Sequence, residues 1–118
     1  MKMNYFVFGT NNMSAAVEFY DRLFEGMGMQ RHPGEGRMTL WLGDGFLFAL
    51  AEPFDEQAAT VGNGSMCGFQ LDSDEQITAT HALAIELGGV DEGEPKIRSD
   101  RFSAYARDLD GNKLCFYV

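Results

Sequence analysis

Residues 9–28 run GTNNMSAAVEFYDRLFEGMG, a strand end, a turn and a helix in succession. The stretch opens where an aromatic, β-branched run, Asn4 to Gly9 (NYFVFG), closes, and such residues favour strands. Asn12 suits a helix N-cap, where its side chain can accept from an unpaired N–H of the first turn. Met13, Ala16, Val17, Tyr20, Leu23, Phe24 and Met27 then recur at helical spacing, which predicts an amphipathic helix over residues 13–26. Gly26 and Gly28 end it. Three strand candidates follow, near 29–32, at 37–42 (RMTLWL) and at 46–51 (FLFALA). Asp44-Gly45 marks a tight turn between the last two.

Residues 52–64, EPFDEQAATVGNG, lack strand or helix patterning and read as a linker. The pattern then restarts. MCGFQL at 66–71 reads as a strand and DEQITATHALAIELGG at 74–89 as a helix with its stop. A loop or edge strand near 90–98 follows, then two strands, RFSAYARD and KLCFYV, joined by a turn at Asp110-Gly111-Asn112. Phe8 recurs as Phe69, Glu25 as Glu86 and Gly28 as Gly89, at a constant offset of 61 positions. Asp44-Gly45 recurs as Asp110-Gly111 at an offset of 66. Units of about 50 residues are marginal alone. The expected fold is therefore α+β, a single domain over 1–118. In it two paired β-α-β-β-β modules, about 1–51 and 66–118, form one curved sheet with both helices on the convex side.

The totals exclude several classes of function. With 118 residues, 45% of them apolar, the chain can bury a core. Nine Lys and Arg stand against 18 Asp and Glu, a formal net charge of -9, so the basic stripe of a nucleic-acid binder is not expected. No apolar run approaches the ~20 residues of a membrane span, and MKMNYFVFGTNN does not read as a signal peptide. A cytoplasmic protein with no membrane partner is expected. Cys67 and Cys115 suit a reducing compartment and make no disulfide framework.

Two motifs carry a family resemblance. The stretch 9–28, with Phe19-Tyr20 on its helix and Met27-Gly28 at its close, resembles the first-helix signature of the vicinal-oxygen-chelate superfamily of glyoxalases, bleomycin resistance proteins and dioxygenases. That signature has Phe-Tyr and closes on Leu-Gly. RDLDGNKLCFYV at 107–118 resembles its terminal signature D-P-D-G-N-x-x-E, matched by Asp108, Asp110, Gly111 and Asn112, with Leu109 in place of Pro. The resemblance implies a four-strand metal site built from His, Glu or Gln in the metal-dependent members. Those ligand positions fall here on Tyr5, Ala49, Met66 and Cys115. None is a carboxylate or an imidazole, so no catalytic metal and no cofactor is expected. His32 in the polar loop QRHPGEGR and His81 on the second helix do not repair the set, and each reads as a structural or surface group.

Strand alternation turns those positions into a candidate site. If Tyr5, Ala49, Met66 and Cys115 point inward, parity adds Val7, Leu47, Gly68, Gln70, Lys113 and Tyr117. Phe6, Phe8, Phe46, Phe48, Phe69, Leu114 and Phe116 then face the helices. On the adjoining strands Thr39, Trp41, Ser103, Tyr105 and Arg107 are the expected inward residues. The candidate ligand-binding set is Tyr5, Trp41, Met66, Gln70, Tyr105, Arg107, Cys115 and Tyr117, an aromatic face suited to a flat or cationic small molecule. Arg107 and Lys113 are expected to favour a Cys115 thiolate, but no base stands beside it and no catalytic residue is assigned.

Two functional readings follow. One is a metal-free small-molecule binding protein, as antibiotic-resistance members of the superfamily are. The other is a divalent-metal-dependent lyase, isomerase or dioxygenase. Exposed sheet ends in so short a chain, and the family's habit of building pockets at paired-module or dimer junctions, also predict a homodimer. Light scattering at micromolar concentration should give twice the 13.1 kDa chain mass; a monomer mass contradicts it.

Overall fold

The computed structural model describes residues 1–118. The chain divides into two units, Met1–Thr60 and Val61–Val118. The first runs β1 (Tyr5–Gly9), α1 (Met13–Leu23), β2 (Gln30–Pro33), β3 (Met38–Leu42) and β4 (Leu47–Ala51). The second repeats that order as β5 (Cys67–Gln70), α2 (Asp74–Glu86), β6 (Val90–Arg98), β7 (Arg101–Arg107) and β8 (Lys113–Tyr117). The duplicated β-α-β-β-β pattern read from the sequence is present. Hydrogen bonding arranges it as two four-stranded sheets, ordered β1-β4-β3-β2 and β5-β8-β7-β6. In each, the outer pair is parallel (β1 with β4, β5 with β8) and the rest antiparallel. The expected loop holding His32 is β2 itself, and residues 90–98 form a long edge strand with two register shifts. No helix is long and apolar enough to cross a membrane.

Both helices start on side-chain caps, the expected Asn12 and, for α2, Ser73. Asn12 Oδ1 accepts from Ala15 N at 3.1 Å, and Ser73 Oγ accepts from Gln76 N at 3.1 Å. In the first unit α1 lays Ala16, Phe19, Tyr20 and Leu23 on the sheet. They meet Phe8 and Phe48 in a buried aromatic cluster, with the Tyr20 and Phe48 centroids 4.8 Å apart. In the second unit α2 brings Ile77, Thr80, His81 and Ala84 against a sheet face of small and aliphatic side chains: Ala104, Ala106 and Leu114, with Phe116. His81 Nε2 lies 3.0 Å from Asp91 Oδ1, tying the helix to β6. His81 is thus a buried structural group.

The turn between β7 and β8 hangs on one carboxylate. Asp108 is buried, and its Oδ1 accepts from the backbone N–H groups of Asp110 and Asn112, both at 2.9 Å. Its Oδ2 accepts from Asn112 Nδ2 at 3.0 Å. Gly111 takes the φ of 90° that the turn needs, a conformation costly for any residue with a Cβ. Removing a buried acceptor leaves its donors desolvated and unpaired, at about 1–3 kcal/mol each. Asp108→Ala should therefore lower stability by about 3 kcal/mol, and Asp108→Asn should not restore it, because an amide offers one acceptor oxygen where the carboxylate offers two. Urea unfolding with an unchanged m-value checks this; a loss under about 1 kcal/mol refutes it.

Candidate functional site

Side chains opposite one another in a sheet share a face, so the register assigns every candidate. In the second unit Gly68 pairs with Cys115 and Gln70 with Tyr117. Ser103, Tyr105 and Arg107 pair with Tyr117, Cys115 and Lys113. All lie on the face turned away from α2, as expected from alternation. Met66 stands just before β5 and is exposed. In the first unit Tyr5 and Val7 pair with Leu47 and Ala49 and share the face away from α1, where Tyr5 is exposed.

Trp41 and Thr39 do not join that face. Trp41 pairs with Phe48 and Thr39 with Leu50, the row that packs on α1. Trp41 is 1% exposed, its Nε1 donates to Asp21 Oδ1 of α1 at 3.0 Å, and its ring lies 5.9 Å from that of Tyr20. The cause is hairpin length. Gly43–Phe46 puts four residues between the paired Leu42 and Leu47, whereas Asp108–Asn112 puts five between Arg107 and Lys113. One residue of difference turns every side chain of β3 over relative to β7. Leu40, not Trp41, shares the far face with Ala49. Phe46, expected in the core, sits in that shorter loop and is exposed.

The family's ligand positions do not fit a divalent ion. Ala49 has no donor atom, Met66 has a soft thioether and Tyr5 a phenol. Cys115 is a single thiol, where zinc needs several N, O or S donors together. No group of three or more His, Cys, Asp or Glu side chains is placed to hold a metal ion. Burial works against the Cys115 thiolate that its basic neighbours suggested. Burial raises its pKa against the pull of the Tyr105 hydrogen bond and the Arg98 and Lys113 charges. Burial, with Cys115 adding, pushes Cys67 up to about 11. Both cysteines are free.

What the far face of the second sheet does hold is two tyrosines ringed by cations. Arg98 and Lys113 lie 5.1 and 5.2 Å from the Tyr105 ring centroid, and Arg101 lies 5.6 Å from that of Tyr117. Glycines make room for the rings. A Cβ at Gly93 would come within 2.9 Å of Tyr105, and one at Gly68 within 3.3 Å of Tyr117. Arg98 is pinned, its Nη1 donating to Ser103 O at 2.6 Å and its Nη2 to Glu94 O at 2.8 Å. Arg107 is committed to the turn, bonded to Glu92 Oε1 at 2.6 Å and to Gly111 O at 2.8 Å. That bond holds the Glu92 carboxyl below its ordinary pKa. Arg98 and Arg101 were not anticipated, although the alternation Arg101, Ser103, Tyr105, Arg107 places Arg101 on the tyrosine face.

A crystal structure of a glyoxalase/bleomycin resistance protein from Albidiferax ferrireducens T118 matches over 98% of this chain and 96% of that one, at 34% identity and a TM-score of 0.91. The chain belongs to the glyoxalase/bleomycin resistance family. Hypothetical protein SA1046 from S. aureus shares the fold at 20% identity and a TM-score of 0.82, covering 100% of this chain and 94% of that one. A glyoxalase/bleomycin resistance protein/dioxygenase family enzyme from Burkholderia phytofirmans PsJN does so at 14% and 0.80, covering 99% and 98%. No protein-family model and no curated protein matches the sequence. Family membership agrees with both sequence signatures, while the family's ligand positions have changed chemistry in this chain.

The burial of Trp41 has a direct readout. Its emission should be blue-shifted and barely quenched by iodide, and Trp41→Ala should cost about 3–5 kcal/mol, as loss of a buried indole does. Strong iodide quenching, or a stable Trp41→Ala protein, refutes the helix-side placement.

Proposed function

We propose that this family member binds a small organic molecule on the far face of the β5-β8-β7-β6 sheet, with no divalent metal taking part. The observation that carries the reading is the pairing of Tyr105 and Tyr117 over bare glycine backbone, beside Gln70 and above the buried Ser103 and Cys115. Flat apolar rings with a few fixed polar groups are the usual lining of a small-molecule site. The tyrosines supply area at little entropic cost, since only two torsions are frozen in each. Of the expected ligand-binding residues, the proposal keeps Tyr105, Tyr117, Gln70 and Cys115. Arg107 positions the turn, and Trp41 belongs to the core.

A neutral flat probe tests this. In the presence of EDTA, 2-naphthamide should shift backbone amide resonances of β5, β7 and β8, and Tyr117→Ala should weaken it by about 1 kcal/mol, roughly fivefold. Zinc, nickel, iron or manganese should not raise the melting temperature, because an ion that does not bind the native state cannot stabilise it. Stoichiometric metal in protein purified without chelators, together with a chelator-sensitive activity, would instead establish the metal-dependent lyase, isomerase or dioxygenase reading.

A further inference from the structure

The charge on the tyrosine face runs against the charge of the whole chain. Lys96, Arg98, Arg101, Arg107 and Lys113 are five of the nine Lys and Arg in a protein of net charge -9, and the register puts all five on this one face. Two have carboxylate partners: Arg107 bonds Glu92 at 2.6 Å, and Lys96 lies 4.0 Å from Glu94. Arg98, Arg101 and Lys113 have none within ion-pair distance. Arg98 is oriented by two backbone carbonyls, and the carboxylates of Asp91 and Glu92 act on Arg98 and Lys113 through space, beyond ion-pair distance. A half-buried guanidinium fixed in this way, with two more cations beside it, is a preorganised set of donors for a negative group.

The rings point the same way. An aromatic cage attracts a cation because the ring faces are electron-rich. Here those faces already carry Arg98, Lys113 and Arg101, so an incoming cation would meet three like charges. We propose that the ligand is a small organic anion, a flat or apolar body carrying a carboxylate or similar group, with its charge between Arg98, Arg101 and Lys113 and its body against Tyr105 and Tyr117. This rests on the reading above and narrows it from any flat molecule, or a cationic one, to an anionic one. A polyanion such as nucleic acid is disfavoured by the long-range repulsion of so acidic a chain; a compact monoanion feels chiefly the local cluster.

Three isosteric probes separate the possibilities: 2-naphthoate, 2-naphthamide and 2-naphthylmethylammonium, titrated by NMR at pH 7 in low salt. Each exposed ion pair is worth at most a few-fold, so three cations sharing one carboxylate should favour naphthoate over the amide by about tenfold. The ammonium probe should bind more weakly than the amide. The preference should shrink with added NaCl, and in the Arg101→Gln/Lys113→Gln variant it should fall below about threefold. Neither substituted side chain donates a hydrogen bond within the protein, and an unchanged melting temperature verifies the fold. If the amide or the ammonium binds as well as naphthoate, the anionic assignment is wrong while the binding reading stands. If no probe shifts the strands that carry Tyr105 and Tyr117, the binding reading itself fails. The salt and probe comparisons on the unmodified protein decide the question even if the variant misfolds.

Discussion

The structure of the candidate site depends on the Asp108 carboxylate. Its three accepted hydrogen bonds close a five-residue connection between Arg107 and Lys113, and that length fixes the register of β7 against β8. A connection shorter or longer by one residue would exchange the two faces of one strand. Tyr105 and Ser103 would turn toward α2, and Ala104 and Ala106 away from it. Arg107 contributes to the same turn through Gly111 O. The terminal signature motif is therefore structural, and it acts on chemistry only by aiming the strands on either side of it.

The same dependence explains what could be read from the sequence. The duplicated order of elements, the Asn12 cap of α1 and the faces of β1, β4, β5, β7 and β8 were legible, because strand alternation and capping are local properties. The face of β3 was not. It is inherited through a four-residue hairpin whose length difference from its repeat changes parity, and no local property of Thr39 or Trp41 reports that. For His81 the sequence left open whether the group is structural or on the surface; burial and the approach of Asp91 on β6 to 3.0 Å make it structural. Arg98 and Arg101 flank the tight turn at Ser99 and Asp100, whose φ values of 47° and 69° are positive, and such a turn reads as loop. Alternation along β7 carries Arg101 onto the tyrosine face, and only its pairing with Arg98 shows that Arg98 extends that face as well.

Duplication did not give the two units the same division of labour. The first spends its aromatic residues on the helix side, where Tyr20, Phe24, Trp41 and Phe48 form one cluster, and leaves its far face mainly aliphatic, with Tyr5 on β1 and Gln30 and His32 on the β2 edge. The second puts alanines under its helix, at Ala104 and Ala106, against Ala84 of α2, and turns its tyrosines outward. A core of small residues contributes less burial per side chain. The His81–Asp91 pair adds a polar tie between α2 and β6, and a backbone hydrogen bond from Gly93 together with the one to His81 keeps the Asp91 carboxyl below its ordinary pKa.

This division bears on how a family scaffold can change chemistry. A divalent site needs compact donors on several strands at one depth. Such donors are absent at Ala49 and Met66, and Cys115 is a single buried thiol whose pKa burial raises. The second sheet instead carries long side chains whose charged ends reach over the tyrosine rings. Guanidinium and ammonium groups can bind an anion by charge and geometry without the compact, several-strand donor set that a metal ion requires. On the proposed reading, the isolation of these cations within an acidic chain would act as a filter. Long-range repulsion would discourage extended anions, and the local cluster would hold small ones that come close enough to feel Arg98, Arg101 and Lys113 more strongly than the rest of the surface.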